Sequence, residues 1–430
     1  MNTRRKGVNL LLIAESLVLV GVLVLGLFYG AAGLVKKNNN TNEPNYNVNT
    51  DQNQNDNNAD DENKEPDSED VYVIPEDYTE GRITFSDAVE DKLATMTTEQ
   101  KVAQLFIVSP EVLTGVDRVT IFGNASKNAM NTYPVGGLVY SGLNFQNETQ
   151  TQALLRLAKE YCIQTYGFTL FTVIEEEGGA DYSPYAHALG LDTGSLASEI
   201  ASYGDVSLVT QAAQFRANYI AGAEFNVLFS TIADVSSALE TEYQLRTFGT
   251  TVETVAEFIA ADIRAIEEAG VASTLKYFPG KANAQKTESG MLFSTESLKE
   301  LSEGSLQAFK HGIDAGASFV MIGNVIVPSI TEDSYVPCSL SGRTIALLRG
   351  EMGFDGVIVS DDFSDASFVA MYGNGEACVE AIKAGIDMIY MPANFVEAYN
   401  AVLEAVNSGN ISEDRLNNAV GRILTEKGLE

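Results

Sequence analysis

The chain has 430 residues, with 27 Lys and Arg against 59 Asp and Glu, a formal net charge of −32, and no Trp. That length carries one large domain or two ordinary ones, and so negative a field repels phosphate backbones, which excludes a nucleic-acid partner and disfavours docking of the folded part on anionic lipid. Its three Cys (Cys162, Cys338 and Cys378) give no zinc spacing, CxxC pair or disulfide framework, and its two His, His187 and His311, leave metal sites and imidazole catalysis almost without candidates.

Arg4, Arg5 and Lys6 precede an apolar run from Val8 to Val35 that only Glu15 interrupts, and Ser16 to Val35 is 20 uncharged residues. As a helix this stretch crosses a hydrocarbon core of about 30 Å. The basic cluster sets the N terminus on the cytoplasmic side and the remainder outside. The other reading is a cleaved signal peptide with Gly30-Ala31-Ala32 as its small-residue site; both readings export the rest of the chain. Residues 1–37 are therefore expected to be a cytoplasmic tip with a transmembrane anchor, or a signal sequence. From Asn38 to Asp70 the chain is Asn-rich, acidic and nearly devoid of apolar residues, so it cannot bury enough surface to offset its ordering entropy. A disordered linker is expected over 38–82 and a folded domain over 83–430.

In that domain short apolar runs alternate with longer amphipathic stretches. The runs are Gln104–Val108, Gly136–Tyr140, Leu170–Ile174, Phe225–Leu228, Val271–Leu275, Phe319–Ile322, Val357–Ser360 and Met388–Tyr390. Between them, apolar residues spaced by three and four predict helices over 150–166, 252–269, 296–312, 344–350 and 375–384. Runs rich in Val, Ile and Phe without polar alternation are buried on both faces, as parallel strands are. Eight such units imply an α/β fold, a closed (β/α)8 TIM-like barrel, with a doubly wound open sheet as the alternative.

The polar residues cluster at the ends of these strands. Ile174 leads into Glu175-Glu176-Glu177-Gly178-Gly179, Leu275 into Lys276-Tyr277-Phe278-Pro279-Gly280, Ile322 into Gly323-Asn324, and Ser360 into Asp361-Asp362. Barrel active sites are built at C-terminal strand ends. Carboxylates with a Lys, and neither His nor Cys, suit glycosidic chemistry, in which a carboxylate attacks or stabilises an oxocarbenium-like centre.

These residues resemble glycoside hydrolase family 3, in its single-domain β-N-acetylhexosaminidase branch. Ile174-Glu-Glu-Glu-Gly-Gly-Ala180 is similar to the family's Ile-Asp-Gln-Glu-Gly-Gly-Arg, Arg246-Thr-Phe-Gly249 to its Arg-x-Phe-Gly, and Lys276-Tyr-Phe-Pro-Gly-Lys281 to its Lys-His-Phe-Pro-Gly-His. The run from Leu348 to Phe363 is nearly verbatim, and Arg422 to Leu429 resembles the closing helix. The resemblance covers about residues 84–430 and implies a barrel without the sandwich domain of the β-glucosidase branch. It further implies retaining double displacement with Asp361 as nucleophile, where the competing reading of Ser360-Asp361-Asp362 is a helix cap with acids in the first turn. Glu175, Arg246, Lys276, Tyr277 and Asn324, with Asp234, match positions that hold the sugar or shape its pocket, while Lys and Arg there are equally structural ion-pair partners.

The departures bear on the proton donor. The branch takes its general acid/base from the His of an Asp-Ser-His triplet, and the corresponding stretch here is Glu288-Ser289-Gly290. Tyr277, Lys281 and Asn324 also stand where the family has His, and Ala180 where it has Arg. Glu288 is the replacement acid/base to expect, with Tyr277 or Lys281 as further donors. The alternative is a barrel that has lost hydrolysis and serves as a sugar-binding or scaffold domain at the cell surface. The resemblance implies terminal β-linked N-acetylglucosamine, from peptidoglycan or related glycans, as substrate. Any stacking platform comes from Tyr and Phe, such as Tyr140 or Tyr277. No metal or organic cofactor is indicated, the partners are carbohydrate and, through the N-terminal helix, the cell membrane, and the barrel is expected outside the cell.

Overall fold

A computed structural model describes residues 71–75 and 80–429. The expected anchor and most of the linker lie outside them, and none of the helices among the described residues is long and apolar enough to cross a membrane.

The eight apolar runs form eight parallel strands: β1 Phe106–Val108, β2 Gly137–Val139, β3 Phe171–Glu175, β4 Val227–Ile232, β5 Ala272–Phe278, β6 Phe319–Ile322, β7 Val357–Asp362 and β8 Met388–Tyr390. Each pairs with its successor, and β1 pairs with β8 in the register Phe106–Ile389 and Ile107–Tyr390, closing the barrel. That pairing removes both sheet edges and overturns the open-sheet alternative. Large rings fill the interior, with Phe171 edge-on to Phe319 at 5.3 Å and Phe229 edge-on to Tyr390 at 5.5 Å between centroids. Gly136, entering β2, has no room for a side chain, since a Cβ there would lie 2.1 Å from the Gln104 carbonyl oxygen.

Helices cover the outside, several of them started and stopped by local chemistry. Glu148–Tyr166 begins at Asn147, whose side chain accepts from the Gln150 N–H, and ends at Gly167 in the left-handed region. Val252–Glu268 packs between Val206–Gly222 and its successor Ser305–Asp314. The single helix expected over 296–312 is two, Leu298–Glu303 and Ser305–Asp314, because the non-helical backbone of Gly304, with φ −119° and ψ −116°, interrupts it. The stretch 344–350 runs through Gly342–Ala346 into a wider turn, Leu347–Glu351.

Two features lie outside the barrel's regular pattern. Beyond β5 a hairpin, Gln285–Lys286 with Leu292–Phe293, adds Val325–Ile326 as a third strand. At the opposite end Asp387, just before β8, is fully buried among Arg349, Arg415 and Arg422 at 2.7, 3.1 and 3.3 Å. Burial pushes its carboxyl up, and the guanidiniums outweigh that and hold it below the usual range. Packing begins before residue 83: Tyr72 is buried and its N–H donates to the Ser329 carbonyl, and Glu80 pairs with Arg422. The apolar Tyr72 and Ile74, within the stretch expected as linker, pack against the core.

Candidate active site

The C-terminal ends of the strands bring five carboxylates and three cations into one cluster at the barrel mouth. Asp361 lies in β7, one residue from its end, and its carboxylate is fixed by three donors. The Asp362 N–H reaches Oδ1 at 2.9 Å, and the Asn324 N–H and Lys281 Nζ both reach Oδ2 at 3.1 Å. Asp365, not Asp361, caps the following helix Ala366–Tyr372, accepting from the Ser367 and Phe368 N–H groups, so the cap reading of Ser360-Asp361-Asp362 falls. Strand alternation turns the two adjacent acids to different sides. Asp362 accepts from the Ser364 N–H and hydroxyl in its own loop, and burial pushes its carboxyl up.

Lys281 bridges the mouth. Its N–H donates to Asp234 Oδ2 at 2.9 Å, beyond β4, and its ammonium reaches Asp361 in β7. The same ammonium sits 3.2 Å from the centroid of the Tyr277 ring, a cation–π contact. Asp234 also accepts from the Tyr243 hydroxyl, and its Oδ1 is buried. Burial pushes its carboxyl up to about 6 in spite of these donors.

The remaining expected residues divide. Glu175, half-buried at the end of β3, accepts a 2.7 Å bond from the Tyr390 hydroxyl. Asn324 contributes its N–H to Asp361 and its Nδ2 to the Asp362 carbonyl, with Ser339 donating to its Oδ1. Arg246 and Lys276 both close on Glu177: the guanidinium is bidentate at 2.6 Å to each oxygen, and the fully buried ammonium joins it from β5. Burial raises the Glu177 carboxyl, and Lys276 and Arg246 outweigh it, so it is held low. In this structure the ion-pair reading therefore describes both cations. Glu288 is exposed near the hairpin tip and engages none of these groups. Gly290 beside it has φ +86°, and a Cβ there would lie 2.4 Å from the Ser367 hydroxyl. Neither proposed stacking ring is open. Tyr140 is enclosed edge-on to Phe225, and the Tyr277 ring is taken by Lys281.

The sequence reading left out Tyr390 and Glu177. Tyr390 ends a strand, the position that singled out the other site residues, but looked like one more apolar-run residue. Glu177 follows two other Glu, and nothing local shows which of three faces the barrel.

Chemically the cluster offers a preorganised carboxylate, Asp361, on a rigid strand, and a partly enclosed ammonium on its far oxygen. The model of the glycosyl hydrolase family 3 N-terminal domain matches residues 97–426. A β-hexosaminidase named LpqI from Mycobacterium tuberculosis is 29% identical over 264 residues, 59% of this chain and 67% of the relative. A β-N-acetylglucosaminidase/β-glucosidase from Cellulomonas fimi is 26% identical over 53% of this chain, and there the chain spans only 42% of the relative. Among solved structures, a family 3 β-N-acetylglucosaminidase from Paenibacillus sp. superposes with TM-score 0.71 at 28% identity, covering 78% of this chain and 63% of that one. A β-N-acetylhexosaminidase from Beutenbergia cavernae gives 0.68 at 25%, covering 78% and 99%.

Proposed function

The chain belongs to glycosyl hydrolase family 3, and on that premise we propose that it is an exported, membrane-anchored β-N-acetylhexosaminidase acting on terminal β-linked N-acetylhexosamine of cell-wall glycans. Asp361 attacks the anomeric carbon, and water then hydrolyses the glycosyl-enzyme with net retention. The observation that carries this reading is the state of the Asp361 carboxylate. Oδ2 has both lone-pair directions taken, by the Asn324 N–H and Lys281, whereas Oδ1, among the described residues, accepts only the Asp362 N–H and keeps one direction free. Oδ1 is the attacking oxygen, and the donors on Oδ2 hold the carboxylate in place without blocking it.

Around this centre Glu175 binds a ring hydroxyl, with Tyr390 fixing its orientation, and Asn324 holds the end of β7 at Asp361 and Asp362. Arg246 and Lys276 support the pocket wall through Glu177. The export and anchoring rest on the basic cluster and apolar run before residue 37, the N-acetylhexosamine on the names of the relatives, and its cell-wall source on the proposed export alone.

The full-length protein is expected to release aryl groups from an aryl β-N-acetylglucosaminide, and Asp361→Asn to lower that rate by about a thousandfold or more, as loss of a covalent nucleophile does. Turnover unchanged in Asp361→Asn contradicts the assignment. No release by the wild type leaves the sugar-binding barrel as the reading. For Glu288 to serve as the acid it must swing inward from the exposed tip, and Glu288→Gln measures its share.

A further inference from the structure

We propose that Lys281 is the proton donor and acceptor of this site, a deepening that rests on the hydrolase reading above. Five acidic or phenolic groups near Asp361 are already committed or turned away. Glu175 is bonded to Tyr390, Asp362 to Ser364, and Glu177 to two cations. Tyr277 faces the Lys281 ammonium with its ring, and Glu288 is exposed. Among the described side chains, Lys281 alone combines contact with the nucleophile and protons to spare. Its ammonium carries three N–H groups, of which one hydrogen bond, to Asp361 Oδ2, is made. Its backbone is fixed by Asp234, its side chain is 14% exposed, and the Tyr277 and Tyr243 rings lie 3.2 and 5.6 Å from Nζ.

The ion pair couples proton transfer to the chemistry. As Asp361 Oδ1 bonds to the anomeric carbon, the bond to the leaving oxygen breaks, its electron pair stays on that oxygen, and the oxygen takes a proton from Lys281 Nζ. Asp361 is then an uncharged ester. The negative charge that pairs with the ammonium at 3.1 Å disappears in the step that needs the proton. In the second half the amine takes a proton from water as the water oxygen bonds to the anomeric carbon. The ester bond breaks with its electron pair returning to Asp361, and the ion pair is restored.

The experiment uses the full-length protein with Lys281→Gln and Lys281→Arg, on a dinitrophenyl and a methyl β-N-acetylglucosaminide, with and without azide. Arg keeps the ion pair and cannot give up its proton. Both variants are expected to lose about 10² to 10⁴-fold on the methyl glycoside, to keep the dinitrophenol burst, and to regain turnover of the dinitrophenyl glycoside with azide as a nucleophile that needs no base. Restoration of methyl glycoside turnover by Arg, or equal loss on both glycosides, overturns the proposal in favour of a positioning role. The same leaving-group dependence in Glu288→Gln, with the Lys281 variants unaffected, assigns the role to Glu288 and also overturns it. A wild type inert on both glycosides, and indistinguishable from Asp361→Asn, overturns the hydrolase reading itself.

Discussion

Asp361 and Lys276 are neighbours in the same barrel mouth, yet their surroundings separate an attacking group from a supporting one. Asp361 is a half-buried carboxylate with one free lone pair, and Lys276 is fully enclosed on Glu177. The sequence marks both, because each follows directly on an apolar run, and only the three-dimensional partner tells them apart. Gly290 has a physical reason to be glycine: its positive φ and the Ser367 hydroxyl exclude a side chain there. Gly290→His is therefore expected not to supply the imidazole that relatives of this branch place at the position. Even Gly290→Ala should lower stability by about 1–2 kcal/mol for the left-handed backbone alone, read from urea unfolding, with Ser367→Gly recovering part of any further loss. Asp234 gives a pH dependence. Its carboxyl sits at about 6 in the folded protein against about 3.9 unfolded. The folded state therefore binds more protons between those values, and stability falls as pH rises through that window. Asp234→Asn keeps an acceptor for the Lys281 N–H and removes the charge, so its unfolding midpoint should lack this decline between about pH 4 and 6; an unchanged slope would contradict the burial argument.

At the scale of elements, every barrel strand was legible, because a strand buried on both faces is a continuous apolar run whatever its neighbours, whereas the two-residue strands of the hairpin beyond β5 carry no such run. Helix limits were less so. The break at Gly304 depends on how one helix turns onto the next, a tertiary demand that periodicity does not carry. The charged clusters were hidden for the same reason. Arg349 lies in the stretch that most resembles the family and Arg422 in the closing helix, 73 residues apart in sequence, and both end on Asp387. Part of what makes those stretches recognisable is thus the clasp of the barrel floor rather than the chemistry of its mouth. Removing the carboxylate leaves three buried guanidiniums short of a partner, so Asp387→Ala should cost about 3–5 kcal/mol in denaturant unfolding. Because its carboxyl is held low in the fold, the stability it contributes is present at neutral pH and is lost as pH falls through the acid range. A loss below about 1 kcal/mol would show that the three arginines are satisfied without it.

For the whole molecule, the alternation of runs and amphipathic stretches made the barrel readable, while its closure was settled only by the pairing of β1 with β8. The acidic field of the chain, −32 in formal charge, disfavours phosphate and anionic lipid, so the proposed membrane attachment rests on the apolar N-terminal run alone. Full-length protein is expected in the membrane fraction, with its barrel cleaved by protease added outside intact cells. Deletion of residues 1–37 should abolish export. Recovery of the full-length barrel in the cytoplasmic fraction would contradict the proposed placement.

The most direct test of the account is the mass of the intact protein after exposure to a fluorinated, activated N-acetylglucosaminide whose glycosyl-enzyme hydrolyses slowly. The account predicts one added sugar, carried by the peptide containing Asp361 and missing in Asp361→Asn. A sugar on another residue, or none while the free glycoside is still turned over, would contradict covalent catalysis by Asp361.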